Sequence, residues 1–348
     1  MKKFTLGDVC QKASSNIAQK DLLERTGKYP VFGASGFIKN IDFYHQKEEY
    51  IAIVKDGSGI GRTMLLPAYS SVIGTMQYLI PTKKYDIDIR YLYYAILYMN
   101  LSKYYSGSAI PHIYFRDYKI EPINIPCINK QKKISKKLNS IDVLIELRKK
   151  QLLKLDILVK SRFIEMFGDP ITNNLGWEQA ELCEATNKIG SGATPRGGKV
   201  SYSKEGIALI RSMNVHNGRF EYKDLAHITD EQARRLDNVI VEEDDVFINI
   251  TGASVSRSCI VPKDVLPARV NQHVAIIRCI SNKLHPIFAN IMFLHDRFKK
   301  YLLDIGENGG ATRQAITKQQ LEALTVILPP IDLQNQFASF VQQVDKSK

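Results

Sequence analysis

A chain of 348 residues, 44% of them hydrophobic, is long enough to form two domains that each bury a core. No stretch approaches the roughly 18 uninterrupted apolar residues of a membrane-spanning helix, and no apolar signal segment follows the N-terminal residues. We therefore expect a cytoplasmic protein without membrane contact, whose net charge of +12 suits a polyanionic partner such as nucleic acid.

The first third of the chain contains the pattern of a β-hairpin. An apolar, β-branched run from Tyr50 to Val54 precedes a turn of small residues, and a second apolar run from Met64 to Leu66 follows it. Apolar spacing further along predicts a core-packing helix from Arg90 to Ser102. We expect residues 1–127 to form a small α/β domain, a twisted sheet with short helices.

A long helix is predicted from Lys130 to about Phe167, because this segment lacks Gly and Pro and is rich in Lys, Leu and Ile. A heptad repeat within the helix predicts a coiled-coil seam formed by Leu138, Ile145, Leu152 and Val159. Residues 128–170 carry 11 basic and 5 acidic side chains, which is half of the net charge of the chain. Gly168 followed by Asp169 and Pro170 is expected to end the helix.

Beyond this helix the chain repeats the pattern of its first part. Apolar runs from Val246 to Ile250 and from Cys259 to Val261 again flank a turn of small residues. Three residues keep their spacing across the two turns: Gly57, Arg62 and Pro67 in the first, and Gly252, Arg257 and Pro262 in the second. Repeats of this length indicate two copies of one structural unit.

The remaining elements agree with two copies. A helix from Pro286 to Leu303 corresponds to the first helix, and the pair Pro126 and Gln131 recurs as Pro329 and Gln334. The predicted organisation is one domain over 1–127, a long spacer helix over 128–170, a second domain over 171–330, and a shortened C-terminal helix over 331–348.

The sequence lacks the signatures of catalysis and of metal binding. The turn from Asp56 to Thr63 has neither the first Gly nor the Lys of a phosphate-binding loop. The seven histidines and five cysteines show no metal-ligand spacing, and the cysteines are expected to be reduced core thiols. No methyl-donor motif occurs, and the acidic run from Glu242 to Asp245 is expected to be a solvated turn. We predict no catalytic residue, metal or cofactor in this chain.

Polar and basic side chains on turns remain, and these are the groups that read base edges and phosphates. Residues 171–330 carry 19 basic and 18 acidic side chains, so DNA contacts there depend on individually placed groups. Matched turns in two copies favour DNA binding over ordinary surface loops. The predicted DNA-contacting residues are Lys55, Arg62, His112 and Arg116 in the first copy, and Thr194, Arg196, Lys199, Arg211, Asn214, Arg257, Asn271, His273, Arg313 and Gln314 in the second.

The duplicated domain, the segment Gly190 to Pro195, Ile210-Arg211-Ser212, and Leu328-Pro329-Pro330 before a helix resemble the specificity subunit of Type I restriction-modification systems. The resemblance covers essentially the entire chain, and the motifs occur in the same order as in the family. It implies two target-recognition domains that read a bipartite site in double-stranded DNA, with helices that set the spacing of the half-sites. It also implies two methyltransferase subunits bound to the helices with S-adenosylmethionine, and restriction subunits that use ATP and Mg for translocation and cleavage.

The C-terminal helix over 331–348 is shorter than the second long helix of this family. The sequence leaves open whether the chain's own helices set the spacing of the half-sites, whether the chain is a shortened allele, or whether it self-associates through the helices. Two other interpretations also stay open. One is the recognition part of a single-chain restriction-methylation enzyme, and the other is a coiled-coil scaffold that binds proteins. DNA binding that weakens steeply with salt distinguishes DNA reading from the scaffold.

Overall fold

The computed structural model describes residues 3–107, 111–195, 197–198, 202–307 and 314–348. The chain divides into two compact units, Met1–Arg148 (unit 1) and Lys149–Lys348 (unit 2). Among the described residues, no helix combines the length and apolar character needed to cross a membrane.

Unit 1 contains a four-stranded antiparallel sheet, a three-stranded sheet and a two-stranded sheet. Its strands are β1 (Lys3–Thr5), β2 (Cys10–Ser14), β3 (Tyr29–Gly33), β4 (Gly36–Ile41), β5 (Tyr50–Val54), β6 (Thr63–Leu66), β7 (Ser71–Val72), β8 (Met76–Pro81) and β9 (Pro122–Asn124). The sheet orders are β2-β8-β5-β6, β4-β3-β7 and β1-β9. In the three-stranded sheet β3 pairs antiparallel with β4 and parallel with β7.

The helices of unit 1 are α1 (Leu6–Val9), α2 (Ile89–Met99), α3 (Phe115–Tyr118) and the N-terminal part of α4 (Ile128–Phe167). Helix α2 begins where the Asp88 carboxylate accepts the Tyr91 amide N–H, and it packs Leu92 and Ile96 against Ile51 and other residues of β5 and β8. This apolar contact forms the main core of unit 1.

Unit 2 has the same arrangement of sheets, with one additional hairpin. Its strands are β10 (Gln179–Glu181), β11 (Thr186–Ser191), β12 (Ile207–Ile210), β13 (Val215–His216), β14 (Arg219–Phe220), β15 (Ala226–Ile228), β16 (Val246–Asn249), β17 (Ser258–Ile260), β18 (Ala268–Val270), β19 (Val274–Cys279) and β20 (Thr325–Ile327). The sheet orders are β11-β19-β16-β17, β15-β12-β18 and β10-β20, and β13 pairs with β14. Strand β12 pairs antiparallel with β15 and parallel with β18, as β3 does with β4 and β7.

The helices of unit 2 are α5 (Asp230–Arg234), α6 (Pro286–Leu294), α7 (Asp296–Glu307), α8 (Lys318–Glu322), α9 (Ile331–Lys346) and the C-terminal part of α4. The single helix predicted from Pro286 to Leu303 is wrong. His295 has an extended backbone, with ψ of 133°, and separates α6 from α7. Both helices bury apolar faces, so the apolar spacing alone did not reveal the break.

The repeated sheet orders and strand directions confirm two copies of one α/β fold. The hairpin predicted from sequence forms as β5-β6 in unit 1 and as β16-β17 in unit 2, within one residue of the expected bounds. Helix α4 extends two residues beyond its predicted start and is about 60 Å long at 1.5 Å per residue. It ends at Gly168, whose φ of +71° is the left-handed conformation expected of a glycine cap.

The predicted seam of α4 is only partly covered. Val159 is buried in the core of unit 2, Leu138 and Leu152 are half-buried, and Ile145 is 48% exposed. Pairing of this seam with a partner helix therefore stays a prediction.

Two glutamines, Gln131 of α4 and Gln334 of α9, attach their helices to the two units in the same way. In unit 1 the Gln131 side-chain oxygen accepts the Asp88 amide N–H (2.9 Å), and its nitrogen donates to the carbonyls of Asp86 (2.9 Å) and Pro126 (2.8 Å). Both glutamines are fully buried. Each glutamine bonds three backbone groups of its own unit, and we call each such set of three bonds a glutamine latch.

The Gln334 latch in unit 2 has the same three bonds. Its oxygen accepts the His285 amide N–H (2.9 Å), and its nitrogen donates to the carbonyls of Lys283 (3.0 Å) and Pro329 (2.7 Å). Asp88 and His285 are the N-caps of α2 and α6. Each latch therefore joins the start of one helix to the N-cap of another.

Two smaller expectations are wrong in part. All five cysteines are free, but Cys127 and Cys183 are exposed and do not belong to a core. In the acidic run only Glu242 to Asp244 are exposed, whereas Asp245 is fully buried and accepts hydrogen bonds from Arg278 (2.8 and 2.9 Å). The ion pair with Arg278 offsets the cost of burying this carboxylate.

Candidate nucleic-acid interface

The turn of the repeated hairpin has one backbone conformation in both units. In unit 1 the Gly61 amide donates to the Val54 carbonyl (2.9 Å), and in unit 2 Ser256 donates to Asn249 (2.9 Å). Gly61 and Ser256 both have positive φ, +78° and +70°. Because the next residues are Arg62 and Arg257, the two arginines occupy equivalent positions.

A second segment of chain crosses each hairpin at its turn. The Gly57 amide donates to the Pro111 carbonyl (3.0 Å), and the Ile113 amide donates to the Lys55 carbonyl (2.9 Å). The crossing brings His112 next to the turn that carries Lys55. These two residues lie 57 positions apart in the sequence, so the structure supplies this contact.

Unit 2 repeats the crossing with different side chains. Gly252 donates to the Gln314 carbonyl (2.8 Å), and Ile316 donates to the Ile250 carbonyl (2.8 Å). The predicted site residue Gln314 therefore lies at the hairpin turn, as His112 does in unit 1. Its side-chain nitrogen donates to Glu307 (2.8 Å).

Further bonds connect the other predicted turns of unit 2 to this hairpin. The Thr194 hydroxyl donates to the Gln272 side chain (2.6 Å), and the His273 ring bonds the Thr251 hydroxyl (2.5 Å). The Asn271 amide donates to the Ile210 carbonyl (3.0 Å), next to Arg211. The turns 192–194, 211–214, 251–257 and 271–273 with Gln314 thus form one surface, which we call the unit 2 turn edge.

The side chains of the unit 2 turn edge differ in their freedom to contact a ligand. Arg257 is half-buried, and its guanidinium has no hydrogen-bond or ion-pair partner within the described part of the chain. Thr194 and His273 are half-buried, and Gln272 is exposed. Arg211 is held more firmly, because it donates to the Asp224 carbonyl and stacks 5.3 Å from the Tyr202 ring.

Asn214 and Asn271 serve the conformation of their turns. Asn214 is fully buried; its oxygen accepts the Arg211 amide (3.1 Å), and its nitrogen donates to the Glu221 carbonyl (2.9 Å). Asn271 is 4% exposed and accepts the His273 amide (3.0 Å). These contacts indicate that both asparagines position their neighbours, and their contact with DNA stays an untested prediction.

Three predicted residues, Arg196, Lys199 and Arg313, lie outside the described residues. Their role stays a prediction from sequence alone.

The turn edge of unit 1 is formed by Lys55, Arg62, His112, Tyr114 and Arg116. The Asp56 carboxylate accepts a hydrogen bond from His112 Nδ1 (2.7 Å) when that nitrogen is protonated, and lies 3.5 Å from the Lys55 ammonium. Arg62 is exposed and donates to the Ala34 carbonyl (2.6 Å). Arg116 is 75% exposed, lies 4.7 Å from the Tyr114 ring and forms an ion pair with Asp117 (3.4 Å). The edge therefore presents two arginines beside a histidine and a lysine that both contact Asp56.

The structure adds three residues that sequence reasoning did not select. Tyr114 and Tyr202 support Arg116 and Arg211. Asn249 is fully buried and donates to the Ser212 carbonyl (2.9 Å), which attaches the turn after β12 to the hairpin. Tyr202 and Asn249 act through partners 9 and 37 positions away, so no local pattern marks them, whereas Tyr114 lies only two residues from Arg116.

Over the described ranges, no group of three or more His, Cys, Asp or Glu side chains is placed so that it could hold a metal ion. The chemistry of both turn edges is that of hydrogen-bond donors and acceptors on a positively charged or neutral surface.

A sequence-family model described as the Type I restriction modification DNA specificity domain matches residues 1–156 and 174–348. The specificity subunit of the Type I restriction enzyme EcoAI of Escherichia coli is 25% identical over 172 residues, 49% of this chain and 28% of that protein. A proposed Type I restriction enzyme MjaX specificity subunit of Methanocaldococcus jannaschii is 22% identical over 291 residues, 77% of this chain and 64% of that protein. The chain therefore spans less than two thirds of either relative.

A solved structure of a Type I restriction-modification system S subunit from M. genitalium has the same fold. It superposes with a TM-score of 0.66 at 15% sequence identity, covering 99% of this chain and 89% of that one. At this identity the likeness concerns the fold alone, and it agrees with the α/β organisation predicted from the sequence.

Proposed function

Because the chain belongs to the family of Type I restriction modification DNA specificity domains, we propose that it reads a bipartite sequence in double-stranded DNA through the turn edges of its two units. The observation that carries this proposal is the repeated crossing at the hairpin turn, which presents Arg62 and Arg257 at equivalent positions. Two copies of one edge suit a target of two half-sites.

The side chains of the unit 2 turn edge supply both kinds of contact that DNA reading needs. An arginine without an internal partner, such as Arg257, suits a phosphate oxygen or the O6 and N7 atoms of guanine. Gln272 and Thr194 offer amide and hydroxyl groups that suit base edges. Since residues 171–330 are nearly neutral, sequence-dependent contacts contribute more of the affinity in this unit than a general positive charge does.

We propose further that the chain is non-catalytic and directs partner subunits. By name, the two curated relatives are specificity subunits of Type I restriction enzymes. On this proposal methyltransferase subunits supply S-adenosylmethionine chemistry, restriction subunits use ATP and Mg, and the assembly acts in the cytoplasm. The open alternatives are a protein-binding scaffold and the recognition part of a single-chain enzyme.

Two measurements test the proposal. Binding to random duplex DNA across a salt series should weaken steeply as salt rises, because protein cations displace counterions from phosphates. Methylome sequencing of cells that express this chain with a Type I methyltransferase should reveal a bipartite methylated motif that is absent with the methyltransferase alone. A flat salt response together with no new motif would reject DNA reading and favour the scaffold.

A further inference from the structure

In unit 1, the turn that joins β3 to β4 is followed by an exposed apolar side chain. Gly33 pairs with Gly36 across this turn, and Phe37 comes next as the first large residue of β4. The Phe37 ring is 60% exposed and packs against Phe32, with ring centroids 6.1 Å apart. An apolar group of a ligand that covers the exposed face would therefore be stabilised by burial.

This turn is attached to the turn edge of unit 1. The Arg62 guanidinium donates to the Ala34 carbonyl (2.6 Å), within the turn. A guanidinium has five N–H donors, so others remain for a ligand. Ala34 and Phe37 are three residues apart, at most about 11 Å along the chain. At about 3.4 Å per base pair, Arg62 and Phe37 therefore reach the same few base pairs of a duplex.

Unit 2 has an equivalent turn after β12, the counterpart of β3. The last residue that pairs with the parallel neighbour strand is Phe32 in β3 and Ile210 in β12. Two residues further on, Ala34 therefore corresponds to Ser212. The Ser212 carbonyl accepts the Asn249 side-chain N–H (2.9 Å), as the Ala34 carbonyl accepts the hairpin arginine of unit 1. In each unit a side chain of the repeated hairpin thus fixes this turn.

The turn of unit 2 also exposes an apolar side chain. Met213 follows Ser212 directly and is 43% exposed. The buried Asn214 closes the turn by accepting the Arg211 amide (3.1 Å), so the neighbours of Met213 on both sides are held in place. In each unit an arginine and an exposed apolar side chain therefore lie on one turn, or on two turns that a hydrogen bond joins.

The chemistry of thymine fits an apolar side chain beside an arginine. In the major groove thymine presents its 5-methyl group, which apolar side chains contact, whereas an arginine donates to the O6 and N7 atoms of guanine. The minor groove presents no methyl group and distinguishes little more than A·T from G·C pairs. Single exposed apolar residues are common on protein surfaces, but the matched attachment of these two turns to the hairpins distinguishes Phe37 and Met213.

We propose that Phe37 and Met213 each contact the 5-methyl group of a thymine in the major groove, and so select an A·T pair in each half-site. The inference rests on the proposed DNA reading and adds which base pair is selected and by which side chain. Burial of one methyl-sized group contributes about fourfold in affinity, which sets the expected size of each contact.

Replacement of thymine by deoxyuridine tests the proposal with the full chain. The chain first selects duplexes from a random-sequence pool. The most enriched duplex is then synthesised once with thymine and once with deoxyuridine, which lacks only the methyl group, and both affinities are measured by fluorescence anisotropy. We expect the thymine duplex to bind at least about tenfold more tightly, because two methyl contacts contribute about fourfold each. Each half-site of the selected sequence should contain an A·T pair.

Phe37→Ala and Met213→Ala should each reduce the ratio of the two affinities about fourfold, and Phe37→Leu should retain most of it. Leu23→Ala and Leu175→Ala are matched controls that should keep the wild-type ratio, since these leucines are 80% and 49% exposed outside the turn edges. A wild-type ratio near one, or equal ratios in the Phe37→Ala, Met213→Ala and control variants, would overturn the methyl contacts and leave DNA reading intact. A pool without sequence enrichment would instead reject DNA reading, and this inference with it.

Discussion

Replacing Gln334 by leucine removes one glutamine latch while keeping the size of the side chain nearly the same. The change leaves three backbone groups without their partner: the amide N–H of His285 and the carbonyls of Lys283 and Pro329. A buried polar group that loses its partner costs about 1–3 kcal/mol. Only the bond to Pro329 is fully buried, so water can replace part of the other two, and we expect a total loss of about 2–4 kcal/mol.

The same change at Gln131 should cost less, because all three of its bonds are only partly buried. Gln342→Leu is the matched control, since Gln342 is an exposed residue of α9. Native-state amide hydrogen exchange measures the effect, as it reports the opening free energy of each region separately. Gln334→Leu should lower protection in α6 and α9, and Gln131→Leu in α2 and the start of α4.

The reasoning about the latches would be refuted if Gln334→Leu lowered protection by less than about 0.5 kcal/mol, the size of an ordinary surface substitution. It would also be refuted if the loss spread equally over both units, because each latch bonds only to residues of its own unit.

Three further predictions concern DNA binding, pH and thiol reactivity. Arg257→Ala should weaken duplex binding by about 1–3 kcal/mol in a filter-binding assay. Arg235→Ala, outside the turn edge, should leave the affinity unchanged. Equal affinities of the two variants would count against the assigned interface. Burial lowers the pKa of His285, so the folded chain favours its neutral form, and stability should fall as pH drops below about 6.5. His285→Asp should reduce the loss in denaturant midpoint between pH 7 and pH 5, and an unchanged loss would contradict this role. Burial raises the pKa of Cys10 and Cys259 to about 12. Both thiols should therefore resist alkylation at pH 8 until the chain is denatured. If mass spectrometry finds either thiol modified in the native chain, burial does not protect it.

Local patterns in the sequence were sufficient for the elements whose neighbours in space are also neighbours in the chain. The absence of Gly and Pro from Lys130 to Phe167 predicted α4, because a helix forms its hydrogen bonds within one segment. The β-branched runs around Gly57 and Gly252 predicted the two hairpins, since a tight turn joins their strands. The repeat followed from the shared spacing of these residues.

The candidate interface could be predicted only in part. The turns were identified by their composition, and the structure brings Thr194, His273 and Gln314 to one edge of unit 2. Gln314 reaches this edge on the crossing segment, which contacts a hairpin more than 50 residues away in sequence, and Thr194 reaches it through Gln272, 78 residues away. Asn214 closes its own turn by accepting the Arg211 amide, three residues away, and no sequence signal distinguishes such a buried asparagine from an exposed one.

The sequence by itself determined the repeat, the long basic helix and the family resemblance, because composition and spacing are properties of the chain. Tertiary structure decided which of the repeated surfaces are covered. Helix α6 of unit 2 is covered by Phe163 and Phe167, whereas Tyr98 of the equivalent helix α2 in unit 1 is 93% exposed. Within the acidic run from Glu242 to Asp245, only Asp245 is fully buried. Burial depends on contacts between distant segments, and a periodic pattern in one segment cannot specify its partner.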